Sequence, residues 1–211
     1  MTDIRQQINA VRRQVGARTL EAGEARVVTL TRAYHATVDE VWDACTNPQR
    51  IPRWFLPVSG ELREGGRFQL EGNAGGTIER CDPPKGFSAT WEFGGAVSWI
   101  EVRLTARPEG GTLLELDHIA RPDEHWQQFG PGAVGMGWDM GLLGLARHLS
   151  HGPATGDAPD AAAWLASGEG KEFIRLSNQG WRDADIESGT GEAVASAAAE
   201  RTLAAYTGSP G

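Results

Sequence analysis

Between Val58 and Ala120 the chain is punctuated so often that one kind of sheet is left to it. Strand-like runs span Val58 to Leu62, Arg67 to Glu71, Gly76 to Cys81, Phe87 to Phe93, Val97 to Ala106 and Thr112 to Ala120. The breaks are turn chemistry: Glu64-Gly65-Gly66, Gly72-Asn73-Ala74-Gly75, Asp82-Pro83-Pro84-Lys85-Gly86, Gly94-Gly95 and Pro108-Glu109-Gly110-Gly111. Connections this short reverse the chain, so successive strands pair antiparallel. Such a sheet hides one face and wets the other. Ile100, Val102 and Leu104 alternate with Glu101 and Arg103, while Leu114, Leu116 and His118 alternate with Glu115 and Asp117.

A sheet with one apolar face needs a cover. The stretch Pro131 to Leu149 reads as that cover, an apolar helix with Val134, Trp138, Leu142, Leu145 and Leu149 on one face. Pro131 suits the first helical position, and Gly152-Pro153 is a stop signal. Gly135, Gly137, Gly141 and Gly144 fall inside this helix. Each costs about 1 kcal/mol relative to alanine in an exposed helix interior. Either a neighbour packs very close to these glycines, or they leave space beside the helix for a ligand.

Around this framework, Arg26 to His35 reads as a strand. Thr37 with Glu40 is a capping box that opens a helix through Val41, Trp42 and Cys45. Asn47-Pro48 closes it and starts a second short helix that Pro52 keeps short, and Asp123 caps another before the long one. Residues 3 to 15 match an amphipathic helix, with Asp3 and Gln6 as a capping box and Ile4, Ile8, Val11 and Val15 at helical spacing. Gly16 to Gly23 is then a connector. After Pro153 three helices are expected: Asp160 to Ser167, Gly170 to Ala184 (with Phe173, Ile174, Leu176 and Trp181), and Thr190 to Tyr206 (with Ala195, Ala199, Leu203 and Tyr206 on one side). The domain boundaries implied are 1–24 for the N-terminal helix and connector, 25–152 for the sheet and long helix, and 153–211 for a helical extension. That extension packs on the core or on a partner subunit.

Composition narrows the function classes. A chain of 211 residues with a net charge of −8 lacks the basic surface that nucleic-acid binding needs, and nothing in it favours an anionic membrane. The first residues hold no apolar signal core, and no run of 18 apolar residues occurs. Cys45 and Cys81 are far apart, with no zinc-type spacing. A cytoplasmic protein without metal or cofactor is the expectation. His148 and His151 lie one helical turn apart but lack a third ligand of convincing spacing. Phosphate-loop, GxSxG and HExxH motifs are absent, and the glycines of GMGWDMG lie within a helix rather than between strand and helix.

Thr37 to Phe55 resembles the START-like superfamily, also called SRPBCC or helix-grip proteins, and in particular the branch of activators of the 90-kDa heat-shock protein ATPase. The resemblance rests on an ordered set: Val41-Trp42, Thr46-Asn47-Pro48, Trp54-Phe55, Gly65-Gly66-Arg67-Phe68, Pro84 to Trp91, Thr112 with Leu114 and His118, and Gly137-Trp138 to Leu142. It covers about Arg26 to Gly152. It implies an α+β helix-grip fold, in which a curved antiparallel sheet of six to seven strands wraps a long C-terminal helix with a cavity between them. N- and C-terminal helical extensions flank that core. Relatives include lipid and steroid carriers, aromatic polyketide cyclases and chaperone activators, so fold alone does not settle function. The chaperone activators carry a separate N-terminal domain, which the segment before Arg26 is too short to supply. The helices after Gly152 also lie outside the common pattern.

Eight tryptophans against two tyrosines supply aromatic surface for such a cavity. The expected lining is Trp54, Phe68, Trp91, Trp99, His118, Trp138, Gly141, Leu142 and Leu145, around a small hydrophobic or aromatic molecule. Two other readings are kept. One is a cyclase- or hydratase-like enzyme in which His118, the one candidate catalytic residue, works with a strand carboxylate or arginine such as Glu71, Glu79, Arg80, Glu92, Glu101 or Arg103. The other is a chaperone-linked interaction module that meets a second copy or a chaperone through its terminal helices.

Overall fold

The structure, a computed structural model, describes residues 3–21, 23–151 and 161–208. In chain order the elements are α1 (Ile4–Asn9), β1 (Val11–Leu20), β2 (Gly23–Tyr34), α2 (Val38–Thr46), a 3-10 turn (Ile51–Arg53), β3 (Val58–Gly60), β4 (Arg67–Leu70), β5 (Gly75–Asp82), β6 (Gly86–Phe93), β7 (Ala96–Ala106) and β8 (Thr112–Ala120). Helices α3 (Glu124–Phe129), α4 (Gly132–His151), α5 (Ala161–Ala166), α6 (Gly168–Glu187) and α7 (Glu192–Thr207) follow. The strands form one sheet in the order β1-β2-β8-β7-β6-β5-β4-β3, and β3 to β8 pair antiparallel with their sequence neighbours. The α+β class and the meander agree with the sequence reading. The chain divides into two compact units, one of residues 1–30, 121–140 and 159–211, the other of 31–120 and 141–158.

In the second unit, register assigns each side chain a face. Ala89 opposes Ile100, which opposes His118; Phe87 opposes Val102, which opposes Leu116. Directly opposed residues share a face. Phe87, Ala89, Trp91, Ser98, Ile100, Val102, Leu104, Leu114, Leu116 and His118 therefore make one face, and Ile100, Val102, Leu104, Leu114 and Leu116 are buried on it. Helix α2 packs on the same face, with Trp42 edge-on to Phe87 at 6.2 Å. Thr37 caps α2 by accepting from the Glu40 N–H at 3.2 Å, as expected. The Glu40 carboxylate does not close the capping box; it accepts from Arg50 at 2.8 Å. The expected second short helix is the 3-10 turn, with Pro52 in its first turn. Residues from Gly141 onward in α4 also belong to this unit. Tyr34 donates to the Leu142 carbonyl at 3.2 Å. A Cβ on Gly144 would lie 2.2 Å from the Trp54 carbonyl oxygen, and one on Gly141 would lie 3.3 Å from the Phe55 ring.

In the first unit α6 supplies the apolar face. Phe173, Ile174, Ser177, Trp181 and Ala184 recur at helical spacing and are buried, and Trp164 of α5 meets Phe173 edge-on at 5.4 Å. At the centre is Asp139 of α4, 1 % exposed. Arg13 of β1 grips it with Nε and Nη2, both at 2.9 Å; Ser177 donates at 2.5 Å and Trp181 Nε1 at 3.0 Å. The Trp181 ring lies so near α4 that a Cβ on Gly135 would fall 2.1 Å from it. Helix α7 is held by Thr202 donating to the Phe129 carbonyl and Tyr206 to the Ala133 carbonyl, at 2.7 and 3.0 Å.

Three sequence expectations are corrected. The N-terminal helix expected over residues 3–15 ends at Asn9, and the expected connector is mostly β1. Spacings of four fit both periods, and burial alternates from Val11 through Arg13 to Val15 because Arg13 must reach Asp139. This strand makes the sheet eight-stranded rather than six- or seven-stranded. In α7 the buried side is Ala195, Ala198 and Thr202, rotated from the Ala195–Ala199–Leu203–Tyr206 side. Around α4, burial extends to Met136, Asp139 and Leu143, beyond the Val134–Leu149 face. The Gly152-Pro153 stop signal lies outside the described residues.

Three substitutions test this packing. Gly144→Ala forces a methyl onto the Trp54 carbonyl and is expected to lower unfolding free energy by about 1–3 kcal/mol. Gly137→Ala, whose Cβ would meet the Tyr206 hydroxyl only at 3.8 Å, is expected to raise it by about 0.5–1 kcal/mol through helix propensity. Asp139→Ala leaves the buried Arg13 charge unpaired and is expected to cost about 3–5 kcal/mol. Urea denaturation of the three variants beside the wild-type chain measures each.

Candidate functional site

The expected lining residues do not all converge. Phe68, Trp91 and His118 do: the Phe68 and Trp91 rings are 6.4 Å apart, and Trp91 and His118 meet edge-on at 6.2 Å. Three strands supply this row, β4, β6 and β8. Phe68 and Trp91 are half-buried, while His118 is 4 % exposed. Leu142 and Leu145 are buried in the same unit. Trp54 is committed to packing: its indole N–H donates to the Ala44 carbonyl at 2.9 Å, and its backbone lies against Gly144. Gly141 is closed by Phe55. Trp99 opposes Thr90 and Ile119, so it lies on the opposite sheet face from Trp91 and His118. Trp138 is half-buried in the first unit.

His118 has a polar partner that sequence reasoning missed. Its Nε2 is 2.9 Å from Ser98 Oγ, and Ser98 donates to the Trp91 carbonyl at 3.1 Å. Strand alternation alone would have put Ser98 on the apolar face two residues before Ile100. Burial pushes the His118 imidazole down to about 4. At neutral pH it is uncharged, a weak base suited to hydrogen bonding.

The strand charges weighed as its catalytic partners lie elsewhere. Arg103 binds Glu101 at 2.9 Å, Glu115 at 2.6 Å and Asp117 at 2.6 Å, all on the sheet face opposite His118. Glu71, Glu79 and Arg80 are exposed, and Glu92 pairs with Arg67 at 2.9 Å.

A second buried histidine, His148 of α4, forms a separate cluster. Arg50 lies 3.1 and 3.2 Å from His148 Nε2 through its Nη2 and Nε, and it binds Glu40 and Asp43, each at 2.8 Å. Burial, then the charges of Arg50 and Arg53, hold the His148 imidazole below its ordinary value. The His151 side chain lies outside the described residues. Among the described residues no group of three His, Cys, Asp or Glu is placed to hold a metal ion.

Both depressed histidines tie stability to pH in one direction. Between 6.5 and about 4 the unfolded chain takes up a proton at residue 118 that the folded chain refuses. The His118 contribution is therefore complete above 6.5 and is lost as pH falls toward 4, by on the order of 3 kcal/mol. His148 adds loss of the same sign. The urea midpoint is expected to fall between pH 7 and 5, and His118→Asn to flatten that slope; an unchanged slope in the variant would contradict the assignment.

Known proteins resemble this chain in sequence and fold. CalU16 from Micromonospora echinospora is 38% identical; its crystal structure aligns with a TM-score of 0.67 over 83% of this chain and 98% of that one. Its solution structure aligns at 0.71 over 85% and 97%. DynU16, a protein in the dynemicin biosynthetic locus, is 25% identical with a TM-score of 0.52, over 63% of this chain and 51% of that one. No curated protein matches the chain. No helix among the described residues is long and apolar enough to cross a membrane. The model of the family described as Activator of Hsp90 ATPase homolog 1-like protein matches residues 35–150, which span the α2-to-α4 region analysed above. With more than half its length matched, and with the helix-grip elements of a long helix and an antiparallel sheet, the chain belongs to that family.

Proposed function

We propose that the protein binds a small aromatic or hydrophobic molecule on the apolar sheet face of its second unit. The observation that carries this is the Phe68–Trp91–His118 row, in which two large rings remain half-buried beside a neutral imidazole. Ligand sites of this kind are mostly apolar, with a few polar groups that fix orientation. DynU16 belongs to a biosynthetic locus, which supports a product or intermediate of small-molecule biosynthesis as the ligand class. Free Cys45 and Cys81 support a reducing, cytoplasmic setting.

Binding is favoured over acid–base catalysis because Glu101 and Arg103 are engaged on the other face of the sheet, Glu92 pairs with Arg67, and Glu71, Glu79 and Arg80 are exposed. It is favoured over docking through the terminal helices because Ile4, Ile8, Phe173, Ile174 and Trp181 are already buried within the first unit.

The fluorescent probe N-phenyl-1-naphthylamine tests the proposal. It is expected to bind saturably with enhanced emission. Trp91→Ala should weaken it about tenfold, equivalent to about 1.4 kcal/mol. Trp99→Ala, on the opposite face, should leave its affinity unchanged. Absence of saturable binding, or equal weakening by both variants, would overturn the proposal.

A further inference from the structure

A guanidinium has five N–H donors and no acceptor, so its contact with an imidazole nitrogen runs in one direction only. Arg50 Nε and Nη2 lie 3.2 and 3.1 Å from His148 Nε2. Both aim hydrogens at that nitrogen, which therefore carries its lone pair, and the neutral ring keeps its proton on Nδ1. The other guanidinium contacts are Glu40 and Asp43 of α2, each at 2.8 Å. His148 is buried in the last turn of α4, and Arg50 is buried in the segment after α2. The next proton that the ring takes up goes to Nε2, the atom that Arg50 holds. It sets an N–H against two N–H groups and a cation against a cation. Proton uptake and the Arg50 contact thus exclude each other.

We infer that the Arg50–His148 contact is an acid-operated latch between α2 and the last turn of α4, closed while the imidazole is neutral and opened when the ring takes a proton. Both ends of the latch belong to the second unit. On opening, Arg50 stays with α2, because two carboxylates hold it and it keeps the Asp43 carboxyl below its usual range. The part that leaves is His148. Its charged form has an alternative partner, since the carbonyl end of a helix favours a cation in the last turn. The element is therefore two-state, with the guanidinium for the neutral ring and the helix end for the charged one. Among the described residues, the charges that bear on the ring come from α2 (Glu40) and from the segment after it (Arg50 and Arg53). Burial and the two arginines oppose the cation, Glu40 favours it, and the balance lies below the ordinary histidine value of 6.5. The latch is closed above 6.5 and opens as pH falls below it.

Hydrogen–deuterium exchange of the full chain at pH 7 and pH 5, corrected for the intrinsic pH dependence of exchange, tests the latch. It is run in a His118→Asn background, which takes the other depressed histidine out of the comparison. Protection of residues 145–151 is expected to fall about tenfold between the two pH values, while β7 of the same unit keeps its protection. His148→Gln, whose amide oxygen accepts from Arg50 at either pH, is expected to hold the end of α4 protected at both. His148→Lys, cationic throughout, is expected to expose it at both. Nitrogen-15 NMR of the wild-type chain, which needs no variant, is expected to show the Nδ1–H tautomer of His148 at pH 7. An Nε2–H tautomer, unchanged protection of residues 145–151, a fall shared equally by β7, or a fall that persists in a folded His148→Gln variant overturns the latch.

Discussion

Burial of the Asp139 carboxylate is the constraint on which the terminal parts of the chain depend. An ion removed from water costs several kcal/mol unless it is paired and hydrogen-bonded. Here the partners come from two distant segments, Arg13 from β1 and Ser177 and Trp181 from α6, all meeting one residue of α4. Gly135 lies one helical turn before Asp139, on the same side of α4. The Trp181 ring lies over Gly135, and its indole N–H reaches the carboxylate. The glycine and the aspartate are thus a single device: the missing side chain admits the ring, and the charge holds it. Arg13 also donates to the Ile8 and Val11 carbonyls, which ties the end of α1 to the same network.

The second half of α4 uses glycine in the same way with different neighbours. Gly144 receives the Trp54 backbone and Gly141 the Phe55 ring, both from the segment just after the 3-10 turn. Three of the four glycines are therefore explained by close approach to aromatic residues. Gly137 is not, since its nearest neighbour across the gap is the Tyr206 hydroxyl at 3.8 Å. Space for a ligand is consequently not to be sought at Gly135, Gly141 or Gly144. The proposed binding site lies instead with the half-buried rings on the sheet, where Phe68 and Trp91 approach His118.

Two buried histidines are kept neutral in this chain for different structural ends. His148 accepts from Arg50 and so helps to fix a guanidinium that also holds Glu40 and Asp43. His118 is depressed by burial alone and engages one serine on the apolar sheet face. The first joins α2 to Arg50 by ion pairs and Arg50 to α4 by a hydrogen bond. The second places a histidine–serine pair beside the Trp91 ring.

The sequence by itself determined the meander, since two- to five-residue turns leave neighbouring strands no arrangement but antiparallel, and the alternation through Ile100–Leu104 and Leu114–His118 fixed which side faces inward. It also determined the long helix, the Thr37 and Asp123 caps, and the family likeness. Tertiary structure decided what local pattern leaves open. Val11 and Val15, four apart, fit helix and strand alike, and in the fold they lie on the strand from which Arg13 reaches Asp139. Trp99 and Trp91 look alike in sequence, yet cross-strand register puts them on opposite faces of the sheet. Ser98 carries no motif. Its meaning depends on the distances to His118 and the Trp91 carbonyl, because a hydroxyl becomes a donor or an acceptor only through the partners that the fold brings to it.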